Sequence, residues 1–341
     1  MTVKKYAFLL ALTASIPLTA ACGKPEDPTA QASTSVAAEA GGSTPDGAHI
    51  AAGGADRQLM PSPTTAPATL SGRLDCLRET GAAVVIGHRG GPNRDFPENA
   101  LETFARSRSA GALGMEIDIA ESRDGVLFLM HDDDLDRTTT GEGPVADKSW
   151  SEIEKLELET YSTVTDFHPP TLDQALAWAV KNNVLVELDK KRSTSFDGII
   201  DAVEANHAEN NVFIVTYTDD QAVEVHQRSK DLVITATVGS VAQLDDLIAR
   251  GVDPKRLVAW TGVERPDPAL WTALNARGIE SAFGTLGRRG ERLDDVYWED
   301  RNGSEYRDLT SAGLEIVVTD YSDRVSRELA DLQVRAAACG F

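Results

Sequence analysis

Eight short apolar runs rich in β-branched residues recur after residue 80, and helical patterns separate most of them. The runs are Ala83–Gly87, Met115–Ile119, Val184–Leu188, Val212–Tyr217, Leu232–Val238, Leu257–Trp260, Ser281–Phe283 and Ile316–Thr319. Amphipathic segments such as Asn99–Ala110, Leu172–Lys181, Phe196–Asn206, Asp219–Arg228, Val241–Arg250 and Pro268–Arg277 lie between them. Strand–helix alternation of this kind demands parallel strands joined by right-handed crossovers. Eight repeats favour closure into a (β/α)₈ TIM barrel over an open sheet. One run breaks the rhythm. Val126–Met130 follows Met115–Ile119 after only a short turn containing Asp124-Gly125, too little chain for a crossover helix. The pattern predicts an extra β-hairpin arm folded back beside the second strand, which would bring His131 toward Glu116.

A barrel of this type carries its chemistry at the C-terminal ends of its strands. His88 and Arg89 follow the first strand, and Asp320 ends the eighth. Glu116 and Asp118 are two residues apart on the second, so alternation points both carboxylates to one face. Glu187, Asp189 and Lys191 share a face on the third in the same way. Several like charges aimed into one barrel repel unless a cation joins them. Oxygen donors without a cysteine pattern suit a hard ion, Mg²⁺ or Ca²⁺. The alternative is that Glu116 and Asp118 merely form ion pairs, with Arg89 and Lys191 as partners. Two imidazoles beside clustered carboxylates point to metal-assisted acid–base chemistry.

The formal net charge of -21 argues against nucleic-acid partners and anionic membrane surfaces. An anionic substrate would therefore need local positive charge from a metal or from basic residues. At the N-terminus Lys4 and Lys5 precede an apolar run that is short for a membrane span. Residues 1–21 read as a signal peptide, and Leu18-Thr19-Ala20-Ala21-Cys22 resembles a bacterial lipobox. That resemblance implies export and a lipid anchor on Cys22 as the only membrane contact; ordinary secretion is the alternative. Residues 22–70 hold mostly Ala, Gly, Ser, Thr and Pro, too little apolar surface to offset the entropy of ordering, and form a tether. The folded domain is expected at 71–341. Export permits disulfides. Cys76 lies before the first strand and Cys339 at the end of the last helix, elements that neighbour each other in a closed barrel. A Cys76–Cys339 bridge is one reading, two free thiols the other.

Five fragments in order carry a family likeness. They are His88-Arg89-Gly90, Pro97-Glu98-Asn99, Glu116-Ile117-Asp118, His131-Asp132 and Arg137-Thr138-Thr139-Thr140-Gly141. In order and spacing the chain resembles the glycerophosphodiester phosphodiesterases, with looser agreement at Pro170-Thr171-Leu172, Leu188-Asp189-Lys190-Lys191 and Val318-Thr319-Asp320. The resemblance runs from about residue 80 to the C-terminus. It implies a barrel with one divalent ion, Ca²⁺ or Mg²⁺, held in part by Glu116 and Asp118. It further implies His88 and His131 as the acid–base pair, Arg89 on a phosphoryl oxygen and Glu98 in support. The chain departs from the family at the third strand, where Glu-x-Lys is usual. Aligning on the lysine makes Asp189 the third ligand and Lys191 a phosphate partner; aligning on the glutamate makes Glu187 the ligand. The first alignment is preferred. The seventh strand departs too, with Phe283-Gly284-Thr285-Leu286-Gly287 where many members have a Trp-containing motif.

The expected activity is metal-dependent hydrolysis of a small-molecule glycerophosphodiester to glycerol 3-phosphate and an alcohol, with His88 favoured as base and His131 as acid and the reverse order as the alternative. A lysophospholipase D-type phosphodiesterase is the near alternative, and a non-catalytic surface lipoprotein the distant one. A pure binding module has no need of two proton-transfer groups. His168, His207 and His226 lie in loop or helix contexts away from the carboxylate cluster, and His49 lies in the tether, so none receives a role. Asp132-Asp133-Asp134 reads as a solvated turn, Arg137 to Thr140 as a loop brace, and Arg288-Arg289 as a surface pair. Gly90-Gly91 is either a plain turn or a place where backbone approaches a phosphate.

Overall fold

The structure is a computed structural model that describes residues 65–161 and 163–341. The expected signal peptide, Cys22 and most of the tether lie outside the described residues. Among the described residues there are eleven strands: β1 Val84–Gly87, β2 Gly114–Glu121, β3 Leu127–Leu129, β4 Glu159–Thr160, β5 Thr163–Val164, β6 Leu185–Lys190, β7 Val212–Thr216, β8 Val233–Thr237, β9 Leu257–Trp260, β10 Glu280–Gly284 and β11 Ile316–Thr319. Strands β1, β2 and β6 through β11 pair in parallel, and β1 pairs with both β2 and β11. That closes the sheet into an eight-stranded barrel. β3 is the odd run, antiparallel to β2 with Ile119 opposite Leu129 and Glu121 opposite Leu127.

Local chemistry starts the crossover helices where they start. Thr171, Ser195, Thr218, Ser240 and Asp267 each precede a helix, and each side chain accepts an N–H of its first turn. The apolar stripes of these helices, such as Leu172, Leu176 and Ile199, meet the outward residues of β2, β6 and β7 in one buried cluster. An insertion between β3 and the helix Leu172–Asn182 builds its own small core from Phe128, Met130, Leu135, Val145 and Ile153. That core fixes the chain immediately on either side of His131.

A helix at Leu70–Thr80 closes the floor of the barrel. Its Leu70, Leu74 and Leu77 pack with Val84, Leu185, Phe213, Val233, Val258, Ala282 and Ile316, most of which lie early in their strands. Apolar side chains thus fill much of this end, with the buried Glu280 paired to Arg78 of the floor helix, and the opposite end is left for chemistry. This helix was not expected, and Leu70 belongs to it rather than to the tether. Cys76 and Cys339 form a disulfide across 5.7 Å between Cα atoms, tying the floor helix to the chain's C-terminal end. Arg73 adds a hydrogen bond from its guanidinium to the Gly340 carbonyl at 2.7 Å.

The bridge closes a loop of 263 residues, so it constrains the unfolded chain strongly. Cys76→Ser/Cys339→Ser should lose about 2–5 kcal/mol of unfolding free energy in urea titration. An unchanged midpoint would mean that the bridge contributes nothing to the closed floor.

Candidate active site at the mouth of the barrel

Parallel pairing of β2 with β6 sets Glu116 opposite Glu187 and Asp118 opposite Asp189. All four side chains are buried, with residue exposures of 7% or less. Glu116, Asp118 and Asp189 each offer an oxygen, and these atoms lie within 4.8 Å of one another. Glu187 sits apart from this group and accepts the Thr235 hydroxyl at 3.0 Å. Three buried carboxylates with oxygen-only donors have the composition to hold a divalent cation.

The electrostatics show what such crowding costs. Burial, with the Asp118 charge adding to it, pushes Glu116 up to about 8. Burial likewise pushes Glu187 up to about 7. Burial would raise Asp118 too, but Lys191, Arg89 and His131 outweigh it and hold Asp118 below the ordinary range. Lys191 donates to Asp118 and Asp189, each at 2.5 Å. Tyr217 donates its hydroxyl to the other Asp189 oxygen at 2.7 Å. Asn99 clamps Asp118 from both sides: its amide donates to the carboxylate at 2.7 Å and its carbonyl accepts the Asp118 N–H at 3.1 Å. Glu116 accepts the Arg89 N–H at 2.8 Å. That bond depends on a left-handed turn, with Arg89 at φ 51°.

Both histidines are held through Nδ1 by an aspartate. For His88 the partner is Asp320 at 2.7 Å, for His131 it is Asp132 at 2.5 Å. Their Nε2 atoms have no hydrogen-bond partner among the described residues, although His88 Nε2 lies 3.9 Å from Glu116. Burial alone would depress His88, but the Asp320 hydrogen bond and the charges of Glu116 and Asp320 outweigh it and raise its pKa. Asp320 is in turn fixed by Arg292 at 2.5 Å and, through its N–H, by the fully buried Asp294 at 2.7 Å. Hydroxyls of Thr285 and Thr319 donate to Asp294 at 2.7 Å each.

A second chain of contacts crosses the mouth. Glu98 accepts from Arg89 at 3.0 and 3.2 Å and from Arg137 at 2.7 and 2.9 Å. Arg137 also donates to Asp132 at 2.5 and 3.0 Å. Those bonds, Arg137 first, hold the Asp132 carboxyl well below the usual range. The barrel mouth itself is a 160 Å³ cavity lined in part by His88, Glu116, Asp189, Tyr217, Trp260 and Leu286. The Trp260 ring fills the space beside Gly284, where a Cβ would meet it at 2.8 Å.

Every expected site residue therefore lies at the mouth, with two changes of detail. The hairpin delivers His131 beside Asp118, since the Met130 N–H bonds the Asp118 carbonyl at 3.0 Å; the expected neighbour was Glu116. Asp132 is the His131 partner and not simply part of a solvated turn. The Gly90-Gly91 pair answers to packing: a Cβ on Gly90 would stand 2.3 Å from the Phe104 ring, and one on Gly91 2.3 Å from the Ser322 hydroxyl. Asn99 and Asp320 lie within the family motifs, but sequence alone gives them no partner. Tyr217 ends its apolar run, the strand-end position from which a side chain reaches the mouth. Asp294 lies on a short helix after β10, and no local pattern marks it.

Residues 88–237 match the Glycerophosphoryl diester phosphodiesterase family. The chain is 29% identical to Glycerophosphodiester phosphodiesterase 1 of Homo sapiens over 173 residues, covering 48% of this chain and 51% of that protein. It is 32% identical to Uncharacterized protein Rv2277c of Mycobacterium tuberculosis over 259 residues, covering 71% of this chain and 81% of that one. The chain spans about half the length of several curated relatives that it matches. Among solved structures, a glycerophosphoryl diester phosphodiesterase from Parabacteroides distasonis superposes with a TM-score of 0.67 at 24% identity, covering 79% of this chain and 94% of that one. At that identity the likeness speaks for the fold.

The Asn99 clamp gives a direct test. Asn99→Ala strips a donor from a buried carboxylate and an acceptor from a buried N–H, and should lower unfolding free energy by about 1–3 kcal/mol in urea titration. Wild-type stability in this variant would show that Asp118 does not rely on it.

Proposed function

The chain belongs to the glycerophosphoryl diester phosphodiesterase family, and from that premise we propose that it hydrolyses glycerophosphodiesters to glycerol 3-phosphate and an alcohol. The observation that carries the proposal is the meeting of two aspartate-held imidazoles with three buried carboxylates at one barrel mouth. Each histidine is locked at Nδ1, which leaves Nε2 as the atom that exchanges a proton. His88 and His131 divide the work between them. One takes the proton of the nucleophile, a water or the neighbouring glycerol hydroxyl, and the other protonates the departing alkoxide. Arg89 and Lys191 place positive charge where the phosphoryl oxygens gather charge in the transition state. Glu98 keeps the Arg89 guanidinium from swinging away.

The oxygen-only donor set of Glu116, Asp118 and Asp189 fits a Ca²⁺ or Mg²⁺ ion, with Glu187 beside them satisfied by Thr235. When bound, such an ion supplies Lewis-acid stabilisation of phosphoryl charge. Lys191 bonds both aspartates, which favours a second reading in which the ammonium alone balances them. The Cys76–Cys339 bridge suits an oxidising compartment, and export by the N-terminal segment, with lipid attachment at Cys22, would supply one.

Purified protein should release glycerol 3-phosphate from glycerophosphocholine, and EDTA should abolish the release until Ca²⁺ or Mg²⁺ is restored. Activity that survives EDTA would select the lysine-balanced reading. His88→Ala and His131→Ala should each lower kcat by at least about a hundredfold. Wild-type turnover in either variant would remove that histidine from the reaction.

A further inference from the structure

Beside the barrel mouth lies a second, larger concavity of 630 Å³. Arg94, Arg106, Arg289, Arg292 and Arg324 line it, with Asp320 and Asp323 as the carboxylates among its walls. On a chain of net charge -21 such a concentration of cations needs a reason. Two of the five are balanced, Arg106 by Asp323 and Arg292 by Asp320. Arg94, Arg289 and Arg324 form no ion pair among the described residues. Arg324 is nonetheless held in place, stacked 4.6 Å from the Tyr321 ring centroid and 5.7 Å from that of Trp298. Arg94, Arg289 and Arg324 are exposed along one wall, and an anion among unpaired guanidinium groups gains charge-assisted, forked hydrogen bonds.

The position of the cleft says which anion. Asp320 lines it and also holds His88 at 2.7 Å, so the cleft begins one carboxylate away from a reacting imidazole. The scissile phosphate already has Arg89 and Lys191. A concave wall linked to the mouth through the Asp320–His88 contact suits a group attached to the substrate better than a flat lipid surface. We propose, on the basis of the phosphodiesterase reading above, that this cleft is a second phosphate subsite. It takes a phosphate borne by the leaving alcohol, so the preferred substrates are glycerophosphodiesters whose headgroup is itself phosphorylated.

The test compares kcat/KM of the purified protein for glycerophosphoinositol and glycerophosphoinositol 4-phosphate at low salt. Wild type should favour the phosphorylated diester by about tenfold or more, and the preference should shrink as salt is added. Arg94→Ala/Arg289→Ala/Arg324→Ala should erase the preference and leave turnover of glycerophosphoinositol unchanged. The corresponding triple change to Lys should keep part of the preference, which separates lost charge from lost folding. Equal kcat/KM for the two diesters in wild type, or a preference that survives the triple Ala change, overturns the subsite while leaving the phosphodiesterase reading intact. No turnover of either diester overturns both. Loss of binding to phosphatidylglycerol vesicles in the triple Ala variant, with equal kcat/KM in wild type, would make the cleft a membrane contact and so also overturn the subsite.

Discussion

The register between β2 and β6 is the constraint on which the rest of the site depends. It places Glu116 beside Glu187 and Asp118 beside Asp189, four buried acids in two adjacent layers of one barrel. Buried carboxylates at such spacing cannot all ionise unaided, and the rise of Glu116 to about 8 and Glu187 to about 7 records the conflict. The neighbouring polar groups answer it. Thr235 and Tyr217 donate to the β6 acids, while Asn99 and the Arg89 N–H donate to those of β2. Lys191 lies between the two aspartates. A site that gathers negative charge this tightly is organised to receive positive charge, whether from that ammonium alone or from a metal as well.

The histidines depend on the same economy of pairing. His88 comes from the turn after β1 and His131 from the end of the hairpin arm, so no single element fixes their relative position. Two relays do. One runs from Asp294 through Asp320 to His88. The other runs from Arg89 through Glu98, Arg137 and Asp132 to His131. Removing Glu98 would therefore disturb both a phosphate-facing arginine and a histidine in the proposed reaction, although its own side chain is placed only to hold others.

Much of this was legible in the sequence, because strand periodicity and motif order are local signals. All eight barrel strands fall within a residue or two of their apolar runs, and the short Asp-Gly connection correctly marked β3 as antiparallel. Asp189 rather than Glu187 lies with Glu116 and Asp118, since the residue nearer the C-terminal end of a barrel strand is nearer the mouth. Leu70, Leu74 and Leu77 follow helical spacing, but the low-complexity tether that runs into them masks the floor helix in the sequence. Asp294 was not legible at all. Its role arises from a fold-wide convergence of Thr285, Tyr306 and Thr319 on one buried carboxylate, and such convergence has no linear signature. The arginine cleft is hidden for the same reason: its cations come from residues 94 to 324 and read singly as surface charge.

The β2–β6 register brings Glu116, Asp118 and Asp189 together as the proposed divalent-cation site. Calorimetric titration of chelator-treated protein with Ca²⁺ and Mg²⁺ tests it without reference to turnover. One ion should bind per chain, with affinity weakened more by Asp189→Asn than by Glu187→Gln. No binding of either ion by the wild-type chain, or the reverse order of the two variants, would contradict it.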